Sequence, residues 1–134
     1  MDPEQIERIL KEHIRLCSDL RDLFIEEGKI MRLTGLPPDE AFLKKKQGFL
    51  PALDKGLEFL QRINEDPDAF DRSVAPLVEE ARSQVMKLMM LDRENERLLL
   101  KTSLPPKMKQ AYGKAAAGQV AKAYAKYANP ANPT

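Results

Sequence analysis

The spacing of apolar side chains over the first thirty-one residues constrains the fold more than any other feature. These side chains recur every seven positions on three adjacent rows, which predicts one long helix with a broad, coiled-coil-like apolar stripe. A stripe of this width requires more than one neighbouring helix. The rows are Ile9, Leu16, Leu23 and Ile30; Leu10, Cys17, Phe24 and Met31; and Ile6, His13 and Leu20.

Capping and turn residues predict two further helices. Asp2-Pro3-Glu4 is expected to open the first helix and Thr34-Gly35 to end it. Asp39 is expected to cap the second, in which Pro51 predicts a kink or a break. The third is expected to begin between Asp68 and Ser73 and to end near Thr102. The core positions of these two helices are Leu43, Leu50, Leu53, Leu57 and Leu60, followed by Val74, Val78, Ala81, Val85 and Leu88.

The pattern therefore predicts an all-α fold, an antiparallel bundle of three long coiled-coil-like helices formed by residues 1–104. Residues that favour strands are too sparse for a sheet. The core row of the third helix continues through Asp92, Asn95 and Leu99. A polar residue in a helix seam fixes register or faces solvent at a frayed end. Alternatively, the seam is imperfect there so that it opens or accepts a partner helix.

Charge is distributed unevenly along the chain. Residues 1–96 carry a net charge of −6, whereas residues 97–134 carry +7 and contain no acidic residue. We expect residues 105–134 to form a basic, marginally helical arm whose last residues are disordered. Its apolar stripe would be Tyr112, Ala116, Val120, Ala123 and Tyr127. Three interpretations of the arm stay open: a solvated end, a helix that recognises a protein, or a segment whose lysines and tyrosines bind nucleic acid. The basic part, residues 97–134, has a single arginine, Arg97 at its start, and the rest of the chain is acidic, so nucleic acid is an unfavoured partner.

No catalytic, cofactor-binding or metal-binding pattern is present, so we expect a protein that is not an enzyme. His13 and Cys17 lie on the apolar stripe and are expected to be core residues, and carboxylates such as Glu26-Glu27 are assigned to solvated faces. The methionines Met86, Met89 and Met90 are expected in the core, or else on an adaptable surface for helical ligands. One cysteine, no signal-peptide core and no apolar run of the ~20 residues that a membrane span needs predict a cytoplasmic protein without membrane insertion.

Three segments resemble bacterial flagellar export chaperones of the FlgN type, and the resemblance covers most of residues 4–113. The segments are Lys44-Lys45-Lys46 continuing through Leu50, Leu53 and Leu57; Leu91-Asp92-x-Glu94-Asn95-x-x-Leu98-Leu99; and Tyr112-Gly113. The resemblance implies a chaperone that binds the helical C-terminal segment of hook-filament junction subunits and delivers them to the type III export gate.

The third helix is then the candidate partner-binding surface, and the resemblance implies that Tyr112 docks on the export gate. The candidate residues are Met90, Leu91, Asn95, Leu98, Leu99 and Tyr112. Two other functions stay open. One is a small nucleic-acid-associated protein that acts through residues 101–127. The other is a structural coiled-coil protein that self-associates as a homodimer.

Overall fold

The computed structural model describes residues 2–102, 120 and 123–125. Three long helices account for most of this part: α1 (Pro3–Thr34), α2 (Glu40–Glu65) and α3 (Ala75–Leu100). No strand occurs among the described residues, so the predicted all-α fold with three long helices is confirmed. None of the helices in this part of the chain is long and apolar enough to cross a membrane.

The helix ends lie where the sequence predicts them for α1 and for the start of α2. Asp2 accepts a hydrogen bond from the Gln5 N–H at 2.9 Å, and the Gln5 side chain accepts the Asp2 N–H in return, which makes a capping box. Gly35 ends α1 in the left-handed conformation, with φ 67°, and donates its N–H to the Met31 carbonyl. Asp39 caps α2 by accepting the Phe42 N–H at 2.9 Å.

Two local predictions are corrected. Of the two alternatives at Pro51, a kink or a break, the break is wrong and the kink stays a prediction. Helix α2 continues through Pro51, which lies on the solvent-exposed face, where water can hydrogen-bond the backbone. Helix α3 begins at Ala75, later than expected. Two short 3-10 turns, Pro67–Ala69 and Arg72–Val74, precede it, and Asp71 caps the second turn by accepting the Ser73 N–H at 2.8 Å.

Helix α1 is the central element of the bundle. It packs along both α3 and α2, whereas α2 and α3 make few close backbone contacts with each other. Side-chain contacts give the directions: Glu27 of α1 contacts Lys46 of α2 and Asn95 of α3, whereas Met31, one turn later, packs with Leu99 of α3. Helix α3 is therefore parallel to α1. The topology is up-down-up, with α2 antiparallel to both.

The core confirms the predicted rows. Leu10, Cys17 and Phe24 of the second row have no solvent exposure. On the third row, His13 is buried with its Nε2 atom 3.7 Å from the Cys17 Sγ atom. Burial lowers the pKa of His13 to about 4 and raises the pKa of Cys17 to about 12, so both side chains are neutral at pH 7. They are core residues, as expected.

The His13 ring requires a glycine on the facing helix. A Cβ atom on Gly56 of α2 would clash with the Nδ1 atom of the His13 ring, far inside van der Waals contact. Gly48 of the same helix has open space at the equivalent position. The two glycines therefore differ in role: Gly56 permits the close approach of α1 and α2, and Gly48 makes no such contact.

We expect Gly56→Ala to lower the free energy of unfolding by about 1–3 kcal/mol, because the ring or the helix must shift to accept the methyl group. Gly48→Ala is the matched control in the same helix. It is expected to raise stability by about 0.5–1 kcal/mol, because alanine favours helix over glycine. Urea denaturation followed by circular dichroism measures both. A stabilising effect of Gly56→Ala would contradict the proposed packing.

Candidate functional site

A buried polar cluster joins the three helices at the level where polar residues interrupt the apolar row of the third helix. The Glu27 carboxylate of α1 accepts hydrogen bonds from the Lys46 ammonium of α2 at 2.8 and 3.1 Å, and from the Asn95 amide of α3 at 2.8 Å. Asn95 also donates to the Phe24 carbonyl at 2.8 Å. The side chains of Glu27 and Lys46 are each only 1 % exposed, so this ion pair is shielded from water.

The surroundings of Lys46 and Asn95 add two further constraints. The Lys46 Nζ atom lies 4.4 Å from the centroid of the Phe24 ring, in a cation–π contact. A Cβ atom on Gly28 would lie 2.9 Å from the Asn95 Oδ1 atom, so glycine allows α1 and α3 to approach at this level. Burial raises the pKa of Glu27, although Lys46 and Asn95 oppose the shift by stabilising the carboxylate.

The assignment of Glu27 to a solvated face is wrong. Glu27 is 1 % exposed, because it continues the row Ile6, His13, Leu20 by another seven residues. Lys46 likewise lies on the α2 core face, three residues after Leu43. The seven-residue register therefore marks both positions as buried. Their polarity hid them, although Asp92 and Asn95 were identified from the same kind of argument on α3.

The cluster extends to the C-terminal segment, defined here as Val120 and Ala123–Ala125. Asp92 has no solvent exposure, and its Oδ2 atom accepts the Val120 N–H at 3.1 Å. The Val120 side chain is also fully buried in the main core, and Ala123 and Tyr124 pack against that core. Part of the predicted basic arm is thus helical and seated on the body. Tyr124 lies beside the predicted stripe and was missed.

The C-terminal segment lies at an opening between the two outer helices, here called the α2–α3 groove. A cavity of about 240 Å³ remains beside Tyr124. A second cavity of about 580 Å³ shares Asn64 and Arg82 with the first and extends toward the 3-10 turns. The first cavity is lined by Leu57, Leu60, Gln61 and Asn64 of α2, by Arg82, Val85 and Met86 of α3, and by Tyr124.

The predicted site residues do not form one surface. Met90 is 70 % exposed, Leu91 and Leu98 are half-buried, and Asn95 and Leu99 are buried inside the bundle. Asn95 therefore makes its hydrogen bonds within the fold, which agrees with the register-setting alternative. Tyr112 lies outside the described residues. Partner binding by these six residues stays a prediction.

The methionines divide between the two predicted locations, the core and an adaptable surface. Met31 and Met89 are buried, as expected for core residues, whereas Met86 is 48 % exposed beside the α2–α3 groove. Within the described part of the chain, no group of three His, Cys, Asp or Glu side chains is placed to hold a metal ion. The geometry offers a groove for apolar side chains, with a buried carboxylate near its occupant.

Comparison with protein-family models, with curated proteins and with solved structures finds no match to this chain.

We expect Lys46→Met to lower the free energy of unfolding by about 3–5 kcal/mol, because Glu27 would stay buried without its cation. The double variant Glu27→Leu/Lys46→Met should lose much less than the two single variants together, because it removes both charges. Urea denaturation of the two single variants and the double variant at pH 7 measures the coupling.

Lys44→Met is the matched control. Lys44 pairs with Glu40 at 3.4 Å on the exposed face of the same helix, and its loss should cost under about 1 kcal/mol. Equal losses from Lys44→Met and Lys46→Met, or additive losses in the double variant, would contradict the assignment of a buried, coupled pair.

Proposed function

We propose that this protein is a non-enzymatic chaperone that binds an amphipathic helix in the α2–α3 groove. The position of the C-terminal segment is the observation that supports this proposal. Val120 is completely buried in the core, and Asp92 of α3 accepts its N–H. Ala123 and Tyr124 also pack against the core, and Tyr124 lines the cavity between α2 and α3. The spacing of these three residues is that of one helix face. The groove therefore has the shape and the apolar lining that a helix-in-groove complex requires.

The helices of the bundle do not all pack equally closely, and this difference supports the proposed function. Helix α1 packs closely along both α2 and α3, whereas these two outer helices make few close backbone contacts with each other. Met86 borders the opening and is half-exposed, and a flexible, unbranched side chain at a groove rim adapts to different helical ligands. Exposed apolar surface beside a partly filled groove is typical of a protein-interaction site.

We further propose, from the sequence resemblance, that the ligand is the helical C-terminal segment of a flagellar hook-filament junction subunit. On this proposal the protein acts in the cytoplasm, and Tyr112 in the basic arm contacts the export gate. The two parts are separable, because the groove supports helix binding, whereas the cargo and the gate rest on the resemblance alone.

Calorimetric titration of the full chain with synthetic C-terminal peptides of hook-filament junction subunits tests this function. We expect one peptide to bind per chain, and Met86→Asp to weaken binding by about tenfold or more, because a charge would replace a buried apolar contact. The matched control is Leu33→Asp, on α1 away from the groove lining. Leu33 is 86 % exposed, and its replacement should leave the affinity unchanged.

The same titration at several salt concentrations separates this function from nucleic-acid binding. Helix binding in an apolar groove should depend weakly on salt, whereas oligonucleotide binding through lysines falls steeply with salt. The helix-binding proposal would be wrong if neither the wild type nor Val120→Ser, whose own segment is held less firmly, bound any peptide. A steeply salt-dependent affinity for a DNA or RNA oligonucleotide would favour the nucleic-acid alternative instead.

A further inference from the structure

We propose that the C-terminal segment and the cargo helix are alternative occupants of the α2–α3 groove, so that the chain covers its own binding site until a partner helix replaces the segment. This inference rests on the proposed function and specifies how its site is regulated. The partner would be an amphipathic helix that presents small, β-branched and aromatic side chains on one face, as the segment itself does.

The described residues of the segment differ in burial. Val120 is the one fully buried side chain among them, whereas Ala123 and Tyr124 are half-buried and Ala125 is exposed. Val120 is therefore the main apolar anchor in the described part of the segment. A longer helix with more anchors would bury more apolar surface in the same groove and would replace the segment.

The described residues leave the groove incompletely filled. Among them, a cavity of about 240 Å³ remains beside Tyr124, and gaps of this kind forfeit dispersion energy. The second cavity, of about 580 Å³, continues past the hydrogen bond from Arg82 to Asn64 and is lined by Ile63, Phe70 and Val78. A partner helix longer than the segment has room to extend in this direction.

Asp92 makes an empty groove unfavourable. Its carboxylate is completely buried and receives the Val120 N–H, which is a charge-assisted hydrogen bond. Loss of a donor to a buried carboxylate is costly unless water or another donor replaces it. The geometry therefore favours exchange of one occupant for another over a long-lived open state. An incoming helix that offers Asp92 a donor would bind better than one that does not.

The charge distribution also favours a helix that brings no acidic residue close to Asp92. The body, residues 1–96, carries a net charge of −6, and the chain from residue 97 onward has no acidic residue. The second cavity is lined by both acidic and basic side chains, and Arg82 pairs there with Glu79 at 3.4 Å. A ligand helix without an acidic residue near Asp92 avoids repulsion from that buried carboxylate.

Competition is tested with two labelled probes, a synthetic peptide with the sequence of residues 114–128 and the cargo peptide that binds best in the calorimetric titration. Fluorescence anisotropy would measure their affinity for the wild type and for Val120→Ser. We expect Val120→Ser to bind both probes about tenfold more tightly, because it weakens the internal competitor and leaves the groove lining unchanged. The matched control Ala125→Ser, at an exposed position of the same segment, should bind like the wild type.

A covalent cross-link between the C-terminal segment and α3 tests the converse prediction, that a segment held in the groove prevents binding. Met86→Cys/Tyr124→Cys places two thiols around one cavity, where a short, reducible bifunctional reagent can join them. Cys17 can be left in place, because it is buried and its pKa is raised to about 12, which keeps the thiol protonated and unreactive. The cross-linked protein should bind both probes more weakly than the same double variant before cross-linking, and reduction should restore the affinity of that double variant. Circular dichroism confirms that each variant is folded.

The outcomes distinguish the inference from the function on which it rests. Cargo binding that is sensitive to Met86→Asp but unaffected by Val120→Ser and by the cross-link would overturn competition and leave helix binding intact. No binding of either probe to any variant would overturn both. Tighter binding by Val120→Ser, together with loss of binding in the cross-linked protein, would support competition.

Discussion

The buried ion pair between Glu27 and Lys46 is the interaction on which the arrangement of the helices depends. It joins α1 to α2, and Asn95 brings α3 to the same carboxylate. Apolar residues around it can slide by a turn with little change in contact, whereas a buried charge that loses its partner leaves a large penalty. The cluster therefore fixes the register of all three helices at one level of the bundle.

This constraint has a consequence for the space between α2 and α3. Both outer helices pack along α1 and make few close backbone contacts with each other, so an opening remains between them. Tyr124 of the C-terminal segment lines that opening, and Asp92, one turn before Asn95 on α3, accepts the N–H of Val120 in the same segment. The same turn of α3 thus takes part in the register-setting cluster and in holding the C-terminal segment. The Asp92 charge also contributes to the raised pKa of Glu27, so the two groups are electrostatically linked.

The sequence contained enough information for the main helices and for one half of the cluster. The seven-residue rows, together with Asp2, Gly35 and Asp39, placed the helices because periodicity and capping are local properties. Asp92 and Asn95 were recognised because they interrupt an apolar row. Glu27 and Lys46 occupy equivalent positions on their own rows, but a charged residue near the end of a pattern is usually solvent-exposed. Only the pairing of two distant residues makes their burial favourable.

The groove was harder to predict, because it arises from the small number of close backbone contacts between α2 and α3 and not from a motif in either helix. The stripe containing Val120 and Ala123 was recognised, but periodicity alone does not identify the surface that a helix covers. The proposed candidate residues on α3 followed the polar seam, which the fold uses internally around Asn95. The accessible part of α3 is instead the side that carries Met86 and Met90.

Amide hydrogen exchange at Val120 tests the central claim, that the α2–α3 groove is a helix site filled by the chain itself, most directly. Nuclear magnetic resonance would follow this amide in the free protein and with a saturating cargo peptide. The account predicts slow exchange in the free protein, because the Val120 N–H is buried on Asp92, and much faster exchange when the peptide replaces the segment. The Leu88 amide in the middle of α3 should remain protected throughout. Fast exchange of Val120 in the free protein, or unchanged protection with the peptide bound, would contradict the account.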